Sequence, residues 1–165
     1  MAPPLPYLVR PAETTDAAAL TQIGLASKRF WPYPESYFNT WKGELTVTPA
    51  YIRKNRVFVA ETGQDAVGFY AVSELARDVT FLTITLAKGT WLDHMFILPD
   101  HIGKGLGRLL FNHLTGHCRA SGIRVIHLLA DPNARGFYEK MGCRYIREIP
   151  STIPGRTTPL LSLTL

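Results

Sequence analysis

The 165-residue chain holds only two cysteines, Cys118 and Cys143. They are too few and too differently placed to form a disulfide framework or a metal knuckle, so both are expected to be reduced. No His or Cys cluster has ligand spacing, and no metal is expected. No apolar stretch approaches the roughly 20 residues that cross a bilayer, since even the run from Phe81 to Ala87 is broken by threonines. The opening MAPPLPYLVR shows neither a basic region followed by a long apolar run nor a small-residue cleavage site. A cytoplasmic protein that does not engage membrane is the expectation. Internal repeats and low-complexity segments are also missing.

Basic residues exceed acidic ones by five, giving a net charge of +5 and a pI near 9.4. The excess favours polyanions, yet the lysines and arginines never gather into a run of five or six. Nucleic acid is therefore a weaker expectation than a cofactor with several phosphates. With 46% hydrophobic and 19% charged residues the composition is globular, and the length suits one domain over residues 1–165.

Local signals give an element order. Tyr7 to Arg10 reads as a strand ended by Pro11, after which Thr14, Thr15 or Asp16 caps a helix from Ala17 to Ser27. The aromatic stretch from Arg29 to Trp41 carries Pro32 and Pro34 and cannot be one regular helix. Thr48 with Pro49 opens a short helix to about Asn55. Val57 to Thr62 and Ala66 to Glu74 read as a hairpin about Gly63, and Arg77 to Lys88 either extends it or adds a strand. Trp91 to Leu98 is a further strand. Beyond it Leu106, Leu109, Leu110, Leu114 and Cys118 form a helical apolar stripe closed by Gly122. The apolar run Arg124 to Ala130 suits a strand buried on both faces. Asp131 and Pro132 then open a helix from Ala134 to Met141, and two strands finish the chain, the last alternating at Leu161, Leu163 and Leu165. The order predicts an α/β or α+β fold, a mixed sheet with helices on its faces.

The segment Leu98-Pro-Asp-His-Ile-Gly-Lys-Gly-Leu-Gly-Arg108 ends a strand and opens a helix. Glycines at 103, 105 and 107 let backbone N–H groups approach a ligand, the helix N-terminus adds partial positive charge, and Lys104 and Arg108 add full charges. That is the chemistry of a pyrophosphate cradle. The dinucleotide fingerprint fails because Arg108 stands where its third glycine belongs, and no P-loop string occurs.

Ile102-Gly-Lys-Gly-Leu-Gly107 resembles the acetyl-CoA loop of the GNAT N-acetyltransferase superfamily, whose pattern is Q/R-x-x-G-x-G/A, with Ile102 in place of the Gln or Arg. A second family pattern, Asn-x-x-Ala-x-x-x-Tyr with a Tyr-Glu-x-x-Gly ending, is matched at Ala134, Tyr138, Glu139 and Gly142, with Asp131 in place of the Asn. The resemblance implies a largely antiparallel mixed sheet with helices on both faces, and acetyl-CoA inserted between the strands Trp91–Leu98 and Arg124–Ala130. It implies acetyl transfer to a primary amine, whether a small amine, an amino acid, an antibiotic amine, or a protein N-terminus or lysine.

The resemblance also implies roles. Backbone groups of Met95, Phe96 and Ile97 pair with pantetheine and the acetyl carbonyl. Ile102, Gly103, Lys104, Gly105, Leu106, Gly107 and Arg108 hold the pyrophosphate, and Asn133 replaces the missing Asn on the pantetheine arm. Tyr138 occupies the position of the acid that protonates the departing thiolate. The family's usual glutamate base falls at Trp91. An alkylamine of pKa about 10.4 is neutral in only about one molecule per few thousand at pH 7, so a base is useful. Strand alternation selects Asp93, with His94, Glu74 and Glu35 as alternatives. Trp31 and Tyr33 lie where relatives build the acceptor lid, and Arg156 in the Pro154-Gly155-Arg156 turn is placed to hold an anionic group of the acceptor. The last strand, Leu161 to Leu165, offers an edge for a homodimer. Two competing readings are a non-catalytic acetyl-CoA or CoA sensor, because the glutamate is absent, and a basic RNA-associated module.

Overall fold

In the computed structural model, which describes residues 6–81 and 83–165, the first strand and first helix are joined through one arginine. Strand β1 (Leu8–Pro11) carries Arg10, whose Nε donates to Glu61 at 2.9 Å and whose two terminal nitrogens donate to Asp16 at 2.9 and 3.0 Å. Asp16 also accepts the Glu13 backbone N–H at 2.7 Å. Asp16 stands just before α1 (Ala17–Arg29), but its side chain makes no cap hydrogen bond to that helix; it is the third residue of a capping box whose cap is Glu13, so none of the three candidates caps the helix as expected. The fork raises the Arg10 pKa and lowers that of Asp16, in each case chiefly through their hydrogen bond.

The aromatic stretch breaks as its prolines require, into a 3-10 turn at Glu35–Tyr37 followed by α2 (Phe38–Glu44). In α3 (Pro49–Lys54), Thr48 Oγ1 accepts the Tyr51 N–H at 3.0 Å and Pro49 takes the first turn, where its missing N–H costs nothing.

Seven strands are hydrogen-bonded in the order β1-β2-β3-β6-β7-β9-β8, with β2 (Arg56–Thr62), β3 (Asp65–Leu75), β6 (Gly89–Ile97), β7 (Val125–Leu129), β8 (Arg144–Pro150) and β9 (Thr157–Thr164). The pairs β1/β2, β7/β9 and β8/β9 are antiparallel and β6/β7 is parallel. The parallel pair takes its long crossover through α4 (Leu106–Ala120), as such pairs must. The predicted stripe of α4 is buried at Leu106, Leu110, Leu114 and Cys118, with Phe111 beside it and Leu109 half-buried.

The chain divides into two compact units, Met1–Ala71 with His94–Leu114, and Val72–Asp93 with Thr115–Leu165. In the first, Leu20 and Ile23 of α1 pack with Val47, Ile52, Val59 and Phe69. Gly68 of β3 lets α4 lie close, because a Cβ there would stand 3.1 Å from the Phe96 carbonyl oxygen and 3.3 Å from the Leu106 and Leu110 side chains. In the second, Ile126, Leu128, Tyr138, Cys143, Leu161 and Leu163 are buried.

The segment Arg77–Lys88 adds strands rather than extending the hairpin: β4 (Val79–Phe81) and β5 (Ile84–Leu86) pair with each other in a sheet of their own. Two expectations change. Strand β7 is not buried on both faces. Ile126 and Leu128 face the core, while Val125 and Leu129 are 40% and 38% exposed, since an unbroken apolar run does not say which of its residues find a cover. The last strand offers no dimer edge, because β9 lies between β7 and β8 and uses both its edges.

Candidate functional site

The glycine loop is held at both ends. Leu98 N–H donates to Val67 O at 2.8 Å, Pro99 opens a 3-10 turn over Pro99–His101, and Leu109 N–H donates to Gly105 O at 3.1 Å. The N–H groups of Leu106, Gly107 and Arg108 thus precede the helical ladder and carry its positive end. Gly103 and Gly105 sit at φ +78° and +84°, a left-handed conformation that costs a side-chain-bearing residue about 1–2 kcal/mol. A Cβ on Gly103 would meet nothing within 4 Å, so the backbone there faces open space in which a ligand can approach. Lys104 and Arg108 are exposed beside them. Leu106 is fully buried, so only its backbone is available to a ligand, and Ile102 is 44% exposed with no polar group to offer. An anchor that sequence reasoning missed is Tyr7, whose hydroxyl hydrogen-bonds His101 Nδ1 at 2.9 Å with the rings edge to face. No local motif marks this pair.

On β6, Met95, Phe96 and Ile97 are half-buried, and the parallel ladder with β7 pairs Thr90, Trp91 and Leu92. The candidate bases separate clearly. His94 is packed among the rings of Tyr51, Phe69 and Phe96 at 5.6–5.9 Å. Glu74 accepts the hydroxyl of buried Thr90 at 2.8 Å. Glu35 forms an exposed pair with Arg29, which lowers its pKa by hydrogen bonding. Asp93 instead accepts the Ser73 hydroxyl at 2.9 Å and lines a cavity of about 260 Å³ with Leu75, Leu86, Trp91 and Leu129. Ser73 had no distinguishing signal in the sequence. Trp91, in the glutamate position, is buried, donates its Nε1–H to Ala87 O at 2.8 Å, and lies 5.1 Å from the His127 ring.

The second family motif builds a turn around Asp131. Its Oδ1 accepts the Asn133 backbone N–H at 2.9 Å and the Asn133 side-chain amide at 3.0 Å, and its Oδ2 lies 3.8 Å from Arg156. Arg156 was expected to hold an anionic group of the acceptor; it faces Asp131, with both side chains only 12% exposed. In α5 (Arg135–Lys140), Glu139 pairs with Arg135, whose guanidinium lies 3.7 Å over the Tyr145 ring. Tyr138 is buried, and burial first, with smaller contributions from Cys143 and Asp131, pushes its hydroxyl above the ordinary tyrosine range. The phenol therefore keeps its proton through neutral and mildly alkaline pH. Burial also pushes the Cys143 thiol up to about 11. Both cysteines are free and buried.

Trp31 is set edge to face on Phe30 at 4.9 Å. Tyr33 packs on Trp41 at 4.8 Å and on Tyr37 at 6.0 Å, and the Lys28 ammonium lies 4.6 Å over Trp41 and 5.8 Å over Tyr33. Phe38 and Trp41 are core, whereas Trp31 and Tyr33 are half-buried. Among the described residues no cluster of three His, Cys, Asp or Glu side chains is placed to hold a metal, and no helix is long and apolar enough to cross a membrane.

Comparison with known proteins finds the loop and the Tyr138 turn within one matched stretch of sequence. Residues 53–143 match the acetyltransferase (GNAT) domain. The chain is 30% identical over 114 residues to the peptidyl-lysine N-acetyltransferase YjaB of Salmonella typhimurium, covering 69% of this chain and 75% of that protein. The fold resembles that of a GCN5-related N-acetyltransferase from Rhodopseudomonas palustris, with a TM-score of 0.76, 20% identity, and 96% and 95% of the two chains covered. It also resembles the PaiA N-acetyltransferase of Thermoplasma acidophilum, solved with coenzyme A, with a TM-score of 0.75, 15% identity, and 96% and 99% covered. The domain match spans more than half of the chain and contains both the glycine loop and Tyr138, and on that ground the protein belongs to the GNAT acetyltransferase family and is an acyltransferase.

Proposed function

We propose that the protein, acting as one domain, transfers an acetyl group from acetyl-CoA directly to a primary amine. The observation that carries this reading is the loop at 102–108, where two left-handed glycines open backbone N–H groups to a ligand between two cations and ahead of a helix N-terminus. The Cβ position of Gly103 is open and Lys104 and Arg108 are exposed beside it, so the residues present suit a diphosphate. The relative's name supports the acceptor class, since the lysine of a peptide carries a primary amine.

Acetyl-CoA supplies an activated thioester. Gly103, Gly105, Gly107 and Arg108 offer N–H groups to the diphosphate, and the Lys104 and Arg108 side chains offset its charge. The backbone of Met95, Phe96 and Ile97 aligns the pantetheine. Asn133, whose side-chain amide donates to Asp131, stands beside that arm. Asp93 takes the proton that the acceptor ammonium must lose. As the new C–N bond forms and the C–S bond breaks, Tyr138 gives its proton to the departing sulfur and regains one from the nitrogen of the new amide; burial keeps the phenol protonated before the transfer. Trp31 and Tyr33 border the acceptor's approach.

The test is turnover of acetyl-CoA with a panel of primary amines that includes a lysine peptide, following free thiol and product mass together. Equal amounts of CoA and acetylated amine are expected. Thiol release without an acetylated amine, or none at all, would contradict the reading.

A further inference from the structure

Resting on that reading, we infer that the preferred acceptor is a small primary amine with an apolar body, seated in the Asp93 cavity with its ammonium on the carboxylate. The cavity measures about 260 Å³. At about 30 Å³ of liquid volume per water-sized group, it accommodates roughly nine non-hydrogen atoms, the size of one aromatic ring with a short aminoalkyl arm. A pocket just below the usual range of about 300–1,000 Å³ admits a small molecule and little more.

The chemistry of the walls narrows the class. Leu75, Leu86, Leu129 and Trp91 supply apolar surface, and Trp91 has its one polar hydrogen committed to Ala87 O, so the indole presents only its ring to a ligand. Asp93 is the one ionisable side chain among the described lining residues, and the Ser73 hydroxyl orients it at 2.9 Å. One carboxylate at the edge of an apolar chamber matches one ammonium on an apolar body. A polyamine would leave a second cation against leucine, where desolvation is uncompensated. A free amino acid would set its carboxylate beside Asp93, and the described lining residues include no cation to receive it. A lysine within a peptide would bring amide groups against the same leucines without partners.

The experiment compares 2-phenylethylamine with spermidine and a lysine peptide at saturating acetyl-CoA, in the wild type and in Leu129→Glu. It is paired with calorimetric binding of 2-phenylethylamine to the protein without acetyl-CoA. The inference expects kcat/KM for 2-phenylethylamine at least about tenfold above the other two. Leu129→Glu should raise its KM by about tenfold or more while leaving the KM for acetyl-CoA unchanged, and should abolish its calorimetric binding. Leu129 is 38% exposed at a strand end, so the variant is expected to fold. Preference for the peptide or spermidine, or an unchanged KM in Leu129→Glu, would overturn the inference while leaving acetyl transfer intact. Failure of every amine to consume acetyl-CoA would instead remove the acetyltransferase reading, and absence of 2-phenylethylamine binding would sink the cavity assignment independently.

Discussion

The Tyr7 hydroxyl and His101 Nδ1 lie 2.9 Å apart across 94 residues of sequence, tying the segment that leads into β1 to the root of the glycine loop. The bond is part-buried and links two elements that no local signal connects. Tyr7→Phe keeps the edge-to-face ring contact and removes the hydrogen bond, at a cost of about 1 kcal/mol. A several-fold weaker acetyl-CoA affinity is expected, with kcat nearly unchanged. Calorimetry beside steady-state kinetics checks this, and an unaltered affinity would show that the loop needs no such anchor.

Close packing at Gly68 predicts a cost in stability. Gly68→Ala places a methyl group 3.1 Å from a carbonyl oxygen and 3.3 Å from two leucine side chains, so either α4 or β6 must shift. Overpacking of this kind costs about 1–3 kcal/mol. The urea midpoint should fall accordingly, and because α4 carries the N–H groups that follow the loop, acetyl-CoA affinity should fall with it.

Tyr138→Phe removes the proposed proton donor while the ring remains to fill its buried place. Turnover should drop about a hundredfold or more, with CoA affinity within a factor of two. In the wild type, burial holds the hydroxyl protonated beyond the ordinary tyrosine range, so kcat should not decline on the alkaline side near pH 10 from loss of this acid. Unchanged turnover in the variant would remove Tyr138 from the chemistry.

The Cys143 thiol has a pKa near 9.0 when solvated and about 11 in the folded protein. Between those values the unfolded chain has released this proton while the native chain retains it. The unfolded state thus binds fewer protons, and stability falls as pH rises from about 9 to 11. Tyr138, raised in the same direction, adds to the decline above its ordinary value of 10. Cys143→Ala should flatten the lower part of the curve of urea midpoint against pH, and an identical slope in both proteins would contradict the assignment.

Much of this was legible in the sequence because the signals were local. Thr48 with Pro49 marked α3, the stripe from Leu106 to Cys118 marked α4, and the spacing of Gly103, Gly105 and Gly107 after a strand marked the loop. What escaped depends on distant partners. Nothing around Arg156 in the sequence announces the Asp131 carboxylate 3.8 Å away, and Leu129 looked like core until it was found lining a cavity. Asp93 was chosen by strand alternation, but the Ser73 hydroxyl that orients it comes from β3, and nothing in the residues around Asp93 announces it. Likewise β9 read as a terminal edge because sequence order does not reveal that β8 pairs outside it.

The central claim is that the glycine loop binds acetyl-CoA, and calorimetric titration of acetyl-CoA into the wild type and Gly105→Glu tests it most directly. Gly105 has φ +84°, a conformation that disfavours any side chain, and the variant adds a carboxylate to the loop proposed to hold the diphosphate. Micromolar binding by the wild type, about −8 kcal/mol, lost in a Gly105→Glu protein that still unfolds cooperatively, is the predicted result. Equal binding by both proteins, or none by the wild type, would contradict the account.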